Sequence, residues 1–509
     1  MLVEVLSAAI SGVEALPVQI EVGLSRGIRF SLVGLPDNAV KESHERITSA
    51  LRCNNMDLPR HQITINMAPA DLRKEGTAYD LPLAVGIMAA GGFVTQETLK
   101  DTLFMGELSL DGHLRAIRGA LAVALLASRT GIKRLVVPAE NGLEAAVVEG
   151  LEVYGLKGLG EVVDYLNGKP IPPVQTKDQK DIDTRLIGSD FGEVKGQESE
   201  KRAIEVACAG GHNLLMLGPP GAGKTMMAKC IPSILPPMSR TEALETTVIH
   251  SVAGKLGSGK SLITTRPFRA PHHSISAIAL IGGGGKPQPG EISLAHNGIL
   301  FLDELPEFQR HVLEVLRQPL EDRVIQVARA NYHLSYPANF MLVASMNPCP
   351  CGHYNDQDHP CVCTPGQIRR YLNKLSGPLL DRIDLQLALT PVPFEKLTER
   401  QRGESSESIR KRVLAARERQ AERFTKEPAV FCNAMMTAAM LKQYARINHK
   451  GITLLQAAMQ KLHLSARAYD RILKMGRTIA DLGGHDDIEV EDIAEAIQYR
   501  MLDKGRWGD

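Results

Sequence analysis

Apolar positions recur with two different periods along the 509 residues. Over residues 1–168, short runs such as QIEVGL, RFSLVGL and HQITINMAP predict strands. Between them, YDLPLAVGIMAAGG and GALAVALLASRTG predict helices that stop at glycine, which ends a helix without steric penalty. RLVVPAEN predicts a buried strand that runs into a turn. KPIPPVQTKDQKDID carries proline and charge but no hydrophobic period, so it reads as a linker. From about Phe191 to Pro393 strands and helices alternate again. From about Glu395 the helical period dominates, in SIRKRVLAARERQAERF and SARAYDRILKMGRTIADL. The expected order is an α+β domain over 1–170, a linker over 171–190, an α/β core over 191–394 and a helical domain over 395–509.

Charge narrows the range of partners. The formal net charge is +1, so no global basic field draws in nucleic acid, and any such contact must come from local patches such as the lining of a ring. The start of the chain has no basic residues, and Glu4 and Glu14 interrupt its apolar run, so no secretory signal is expected. No charge-free apolar stretch reaches about 18 residues, so no membrane span is expected and the chain reads as cytoplasmic.

Three motifs carry chemistry. HNLLMLGPPGAGKTMMAKCI reads as a strand, a glycine-rich turn and a helix. Gly218, Gly223, Lys224 and Thr225 fill the pattern G-x-x-x-x-G-K-[ST], with Pro219, Pro220, Gly221 and Ala222 between them. Such a loop points its N–H groups at the phosphates of ATP, the lysine reaches the β- and γ-phosphates, and the hydroxyl ligates Mg2+. In NGILFLDELPEF, four apolar residues predict a buried strand with Asp303 and Glu304 at its C-terminal end, where open α/β sheets bind ligands. Asp303 is expected in the Mg2+ shell, and Glu304 is expected to orient the attacking water. A third strand, NFMLVASMN, ends in Asn347, which is placed to hold that water or to sense the γ-phosphate.

The chain has eight cysteines, and four of them crowd into PCPCGHYNDQDHPCVCTPG. Cys349 and Cys351 form one C-x-C pair, and Cys361 and Cys363 form another. In a reducing compartment this crowding predicts one structural Zn2+ rather than disulfides, with His353 and His359 as possible substitute ligands. A loop over 349–363 has no core of its own, and a metal would replace one. The adjacent His272 and His273 read as polar loop or pore residues.

The segments GPPGAGKT, RPFRAPHHSIS, GEISLAHNGILFLDELPEF, ASMNPCPCG, TPGQIRRYLNKLSGPLLDRIDL and SARAYDRILKMGRTIADL resemble the AAA+ superfamily, and more narrowly its Mg-chelatase-like ComM/YifB family. The resemblance spans essentially the whole chain. It implies a homo-hexameric ring with ATP bound between subunits. It makes Asn347 the γ-phosphate sensor, Arg382 the arginine finger offered to the neighbouring subunit, and Arg467 the second sensor on the helical lid. A guanidinium adds donors and charge as charge develops on the transferred phosphoryl group, so both arginine roles are physically sound. The resemblance also implies a helicase-like motor on single-stranded or branched DNA, active in branch migration during recombination or natural transformation, with recombination proteins as partners. In related helicase-like proteins, insertions similar to SVAGKLGSGK, GGGGKPQPG and VIQVARANYHLSYPANF point into the ring pore. Lys255, Lys260, Lys286, Arg329 and Lys374 are then candidates for backbone contacts, and solvated loops are the alternative. The basic helix over 405–424 has the same two readings, with Glu404, Glu407, Glu418 and Glu422 as its internal counter-charges.

GELSLDGHLRAIRGALAVALLASRTGIKRLVVPAEN and RKEGTAYDLPLAVGIMAA resemble the proteolytic domain of Lon proteases, which activate a serine with a lysine. The serine position falls on Ala78 and the lysine position on Leu121, so the fold is expected without the peptidase activity. Two further function classes stay open: a magnesium-chelatase-like motor, and an ATPase that remodels a protein partner. The C-x-C cluster and the Lon-like part depart from the chelatase pattern.

Overall fold

The fold is that of a computed structural model, which describes residues 2–175, 188–257, 259–285, 287–329, 332–354, 359–392, 396, 402–427 and 429–500. Residues 176–187 of the expected linker, the boundary expected near 394, residues 355–358 and Lys286 lie outside the described residues.

Two sheets organise the chain. β1 (Leu2–Ser11) and β2 (Glu14–Ser25) form an antiparallel hairpin around Gly12, whose φ of 64° suits a tight two-residue turn. With β3 (Phe30–Val33), β4 (Gln62–Ala68), β5 (Thr102–Phe104), β6 (Arg134–Pro138) and β7 (Glu152–Leu156), they make a seven-stranded sheet in the order β3-β4-β2-β1-β5-β6-β7. Helix α1 (Asp80–Ala90) is buried along its whole length against β1 and β2. Helix α2 (Ala120–Arg129) packs on β2 as well. The sequence reading does not assign β1, because Ser7, Ala8 and Ala9 blur its alternation. Val3, Val5 and Ala8 are nonetheless buried.

The second sheet contains β8 (Leu214–Leu217), β9 (Phe268–Arg269), β10 (Ile299–Leu302), β13 (Met341–Met346) and β14 (Leu385–Ala388), in the order β9-β10-β13-β8-β14. Every pairing in it is parallel. Between β10 and β13, the expected hairpin forms from β11 (Val324–Arg329) and β12 (Tyr332–Pro337). A parallel sheet needs cover on both faces, which is why its strands read as continuous apolar runs. Leu214, Met216, Ile299, Phe301 and Val343 share one core with α3 (Glu198–Gly210) and α4 (Lys224–Ile234). The alternate residues Leu215, Leu300, Leu302 and Leu342 join Leu313, Leu316 and Tyr336 on the other face. Two helices return to that core: α7 (Ser406–Arg423) lies on α3 and α4, and α8 (Ala466–Gly483) lies on α3. Before them, α5 (Arg240–Val252) packs on α2, and α6 (Pro365–Leu372) follows the cysteine loop. Among the described residues, no helix is long and apolar enough to cross a membrane.

The basic residues of α7 are bound by this chain's own groups. Arg412 pairs with Glu205 and Glu404, Arg417 donates to the carbonyls of Cys208 and Phe431 at 3.1 Å each, and Lys411 lies 3.0 Å from Glu407. Arg423 and Arg477 converge on Asp481, which also accepts from Asn433 Nδ2 at 2.8 Å. Arg477 and Asp481 are 1% and 2% exposed, so this cluster is a buried charge network between α7 and α8. Removing one partner leaves the others charged and dry. Asp481→Ala is expected to cost about 3 kcal/mol or more of stability. A shift in the chemical denaturation midpoint reads that loss, and an unchanged midpoint contradicts it.

Candidate functional site

The tips of β8, β10 and β13 meet at the C-terminal end of the second sheet. Met346 lies beside Leu217 in the register of β8 and β13, and Gly218 N–H donates to the Met346 carbonyl at 3.2 Å. The loop that follows turns at Gly221 (φ 79°) and Gly223 (φ 85°), a left-handed conformation that a side chain resists, and leads into α4 at Lys224. A Cβ at Gly218 would meet the Leu389 carbonyl at 2.8 Å, so the loop also needs glycine for its close approach to β14. Gln197 buttresses it from outside, donating to the carbonyls of Ala222 at 3.1 Å and Thr390 at 2.8 Å.

Lys224 Nζ donates to the carbonyls of Gly218 (2.7 Å) and Pro219 (2.9 Å) and to Asn347 Oδ1 (3.0 Å). Burial lowers its pKa from the ordinary lysine value, and the carboxylates of Asp303 and Glu304 oppose that shift. The Thr225 hydroxyl donates to Asp303 Oδ2 at 2.9 Å. The Ser345 hydroxyl bonds the other oxygen of Asp303. Glu304 sits in the left-handed region at φ 54°, its N–H shared between Asp303 Oδ1 (3.1 Å) and Ser345 Oγ (3.4 Å). That turn is strained for a non-glycine residue, a cost that surrounding contacts hold in place at functional sites. His273 Nδ1 lies 3.7 Å from Glu304 Oε2. Lys224, Thr225, Asp303, Glu304 and Asn347 are thus brought together. A glycine-rich loop at a helix N-terminus, a lysine and a hydroxyl–carboxylate pair form a set that fits a nucleotide triphosphate with Mg2+.

Arg382 and Arg467 are not part of this cluster. Both line a cavity of about 310 Å³ with Arg323, Arg471 and Lys474. Asn213, Phe340 and Asp384, also in its wall, precede β8, β13 and β14, so the cavity lies at the N-terminal edge of the same sheet. Arg382 donates to the Pro378 carbonyl at 2.7 Å and pairs with Glu321. Its guanidinium, with Arg467 and Arg471 behind it, holds the Glu321 carboxyl below the ordinary glutamate value. Burial by itself would raise the Asp384 carboxyl, but Arg471 and His212 overcome it and hold it well below the ordinary range.

Cys349, Cys351, Cys361 and Cys363 gather as the spacing predicts, with all four sulfurs within 4.8 Å of one another. Cys349 Sγ lies 3.3 Å from Cys351 Sγ and 3.7 Å from Cys361 Sγ, and the last two are 3.5 Å apart. A tetrahedral site with Zn–S bonds of about 2.3 Å has S···S edges of about 3.8 Å, so the thiols fit such an ion with small outward shifts. The backbone N–H of His353 helps to push the Cys351 thiol down to about 6.

In the amino-terminal sheet region, Leu121 is buried at the start of α2, and its N–H donates to Glu144 at 3.0 Å. Glu144 is bonded in turn by the Ser251 hydroxyl of α5, and Val248 and Val252 of α5 share a core with Leu121. Leu121 is therefore part of a packed contact with the second sheet's helices. Ala78 offers only its carbonyl, to Gly106 N–H at 2.8 Å. Of the insertion cations, Lys255 pairs with Glu291 at 3.3 Å and Lys374 with Glu307 at 3.5 Å, while Lys260 is exposed.

Sequence reasoning did not single out Ser345, Gln197 or Glu321, and it read His273 as a polar loop or pore residue. Ser345 leaves one signal, a polar residue inside the apolar run MLVASM. The other three act through contacts distant in sequence and carry no local pattern.

The magnesium chelatase family models match in three stretches: subunit ChlI of Mg-chelatase over 20–141, magnesium chelatase subunit ChlI over 190–397, and the ChlI C-terminal part over 403–500. Competence protein ComM of Haemophilus influenzae is 45% identical over 503 residues, which cover 98% of this chain and 97% of that protein. YifB of Escherichia coli K12 is 43% identical over 496 residues, covering 97% and 96%. The Lon protease of Koribacter versatilis is 24% identical over 170 residues, covering 31% of this chain and 20% of the protease. With its AAA+-type parallel sheet, carboxy-terminal helices and Lon-like amino-terminal part, the chain belongs to the Mg-chelatase-like ComM/YifB family of AAA+ proteins.

Proposed function

We propose that this chain is an ATPase motor that acts on DNA as a ring of identical subunits, each ATP site being shared by two of them. The observation that carries this reading is the separation of the site's two halves. Lys224, Thr225, Asp303, Glu304 and Asn347 meet at one end of the parallel sheet, and Arg382 and Arg467 gather at the other. A strand of four residues spans about 13 Å, so the arginines of one chain lie beyond its own P-loop. A head-to-tail neighbour in a closed ring, a hexamer by family resemblance, brings the two halves together.

In this reading the backbone of Gly218 to Thr225 binds the phosphates, and Lys224 exchanges its present acceptors for phosphate oxygens. Thr225 and Asp303 hold Mg2+, which neutralises phosphate charge when bound. Glu304 and Asn347 hold the attacking water in line with the leaving oxygen of ADP. As the water–phosphorus bond forms and the bond to ADP breaks, Arg382 and Arg467 of the neighbour meet the developing charge. Residues 1–170 serve assembly or partner binding without peptidase activity, because Ala78 and Leu121 supply neither nucleophile nor base. Residues 191–394 form the motor core and 395–509 the lid. The four cysteines hold one structural Zn2+, and the protein works in the cytoplasm.

Two observations support DNA as the substrate: the near full-length similarity to a protein named for competence, and the lysine-bearing insertions. The ion pairs of Lys255 and Lys374 are partly exposed and contribute about 0.5 kcal/mol each, so a nucleic-acid phosphate can displace them. Branch migration in recombination or transformation is the activity this reading assigns. The chelatase family models support a second reading, a magnesium-chelatase-like or protein-remodelling ATPase acting on a protein partner.

ATP hydrolysis measured with and without single-stranded and forked DNA separates the two readings. DNA is expected to stimulate turnover, less so as salt rises, and Lys224→Ala and Glu304→Gln are expected to abolish it. Turnover that DNA leaves unchanged at low salt, in an assembled ring, moves the assignment to the protein partner. Arg382→Ala is expected to keep ATP binding while kcat falls about 1000-fold, and a variant with wild-type kcat contradicts the shared site. Elemental analysis is expected to find one zinc per chain, and a metal-free wild-type protein contradicts the zinc assignment.

A further inference from the structure

The cysteine loop touches the nucleotide site from two sides. Cys349 follows Asn347 by two residues, and Asn347 Oδ1 accepts from Lys224. Gly352, inside the loop, lies at φ 87° directly against the P-loop. A methyl group there would meet Pro220 Cδ at 2.5 Å and Cγ at 2.7 Å. The far end of the loop is fixed as well. Cys363 precedes the capping box of α6, where Thr364 and Gln367 bond each other's backbones. From that helix Tyr371 is buried beside the backbone of Asn347 and the thiol of Cys349.

We propose that this loop is a metal-locked clamp on the ATP site: closing the four thiolates around one Zn2+ fixes Gly352 against Pro220 and holds Asn347 against Lys224, so that metal occupancy sets the affinity for ATP. The proposal rests on the zinc reading above and adds a role to it. A short loop rich in proline and glycine has no apolar core, so without a cation the cysteines take up protons and no ligand bonds hold the four sulfurs together. Pro220 and Asn347 then lose the wall that positions them, while the strands beneath keep their own packing. A displacement of about 1 Å at a phosphate-binding loop costs one to two orders of magnitude in function. The clamp also reaches the other half of the site, because α6 leads through the short helix Gly377–Leu380 to Arg382.

The test uses the full-length protein, with metal content by elemental analysis and affinity for a fluorescent ATP analogue as separate readouts. Gly352→Ala keeps all four thiols but places a methyl group where Pro220 stands. It is expected to retain its zinc and to bind the nucleotide about tenfold more weakly. Pro220→Ala in that background removes the two colliding carbons and is expected to recover part of the affinity, which separates the collision from backbone strain at Gly352. Stripping zinc from the wild-type protein with a chelator is expected to weaken nucleotide binding to a similar degree, with unchanged far-ultraviolet circular dichroism, and restored zinc is expected to reverse it. This arm does not depend on any variant folding. Wild-type affinity in zinc-loaded Gly352→Ala, or in the stripped protein, overturns the clamp while leaving both the ATPase and the zinc readings intact. A wild-type protein that binds nucleotide but holds no metal overturns the clamp together with the zinc assignment, and one that binds no nucleotide overturns the ATPase reading itself.

Discussion

The parallel pairing of β8 with β13 is the constraint on which the remainder of the site depends. It sets Leu217 beside Met346, so the P-loop and Asn347 leave the sheet at the same level. The hydrogen bond from Lys224 to Asn347 then ties the glycine-rich loop to the end of β13. β10 pairs on the other side of β13 and delivers Asp303 to Thr225, with Ser345 of β13 holding the carboxylate's second oxygen. All three strands are buried on both faces, so a shift of one would empty two cores at once. Rigid strands with polar residues only at their tips are how the fold keeps charged groups together at a fixed spacing.

In the proposed shared site, the two ends of the same sheet carry the two groups of residues. The C-terminal strand ends carry the P-loop, Asp303 and Asn347, and the basic side chains gather at the N-terminal edge. The cavity there is lined by five basic side chains, with Glu321, Asp384 and Asp470 as their counter-charges. Arg382 rests on Glu321 and the Pro378 carbonyl, contacts that a phosphate with more charge can replace. The cysteine loop lies in the chain between Asn347 and Arg382.

The sequence made the residues of the candidate site legible where chemistry imposes a local pattern. Gly218, Lys224 and Thr225 share one turn and one helix start, and Asp303 and Glu304 follow an unbroken apolar strand. The cysteines stood out by spacing, and their sulfurs do converge. What was hidden depends on tertiary contacts. Gln197 reaches the loop across 25 residues, Glu321 meets Arg382 across 61, and Gly352 meets Pro220 through a close approach that no periodicity encodes. β1 escaped notice because small residues diluted its alternation. The basic face of α7 had two readings, and only the packing of α7 on α3 reveals its carboxylate and carbonyl partners.

The central claim, that two chains build each ATP site, is tested most directly by mixing two defective proteins. Lys224→Ala lacks a working P-loop but keeps Arg382, and Arg382→Ala has the reverse defect. In randomly assembled rings of equal amounts, about a quarter of the interfaces pair an intact P-loop with an intact arginine. The account predicts that ATP hydrolysis, abolished in Lys224→Ala and lowered about 1000-fold in Arg382→Ala, returns on mixing and co-assembly. A mixture that co-assembles and gains no activity would contradict it.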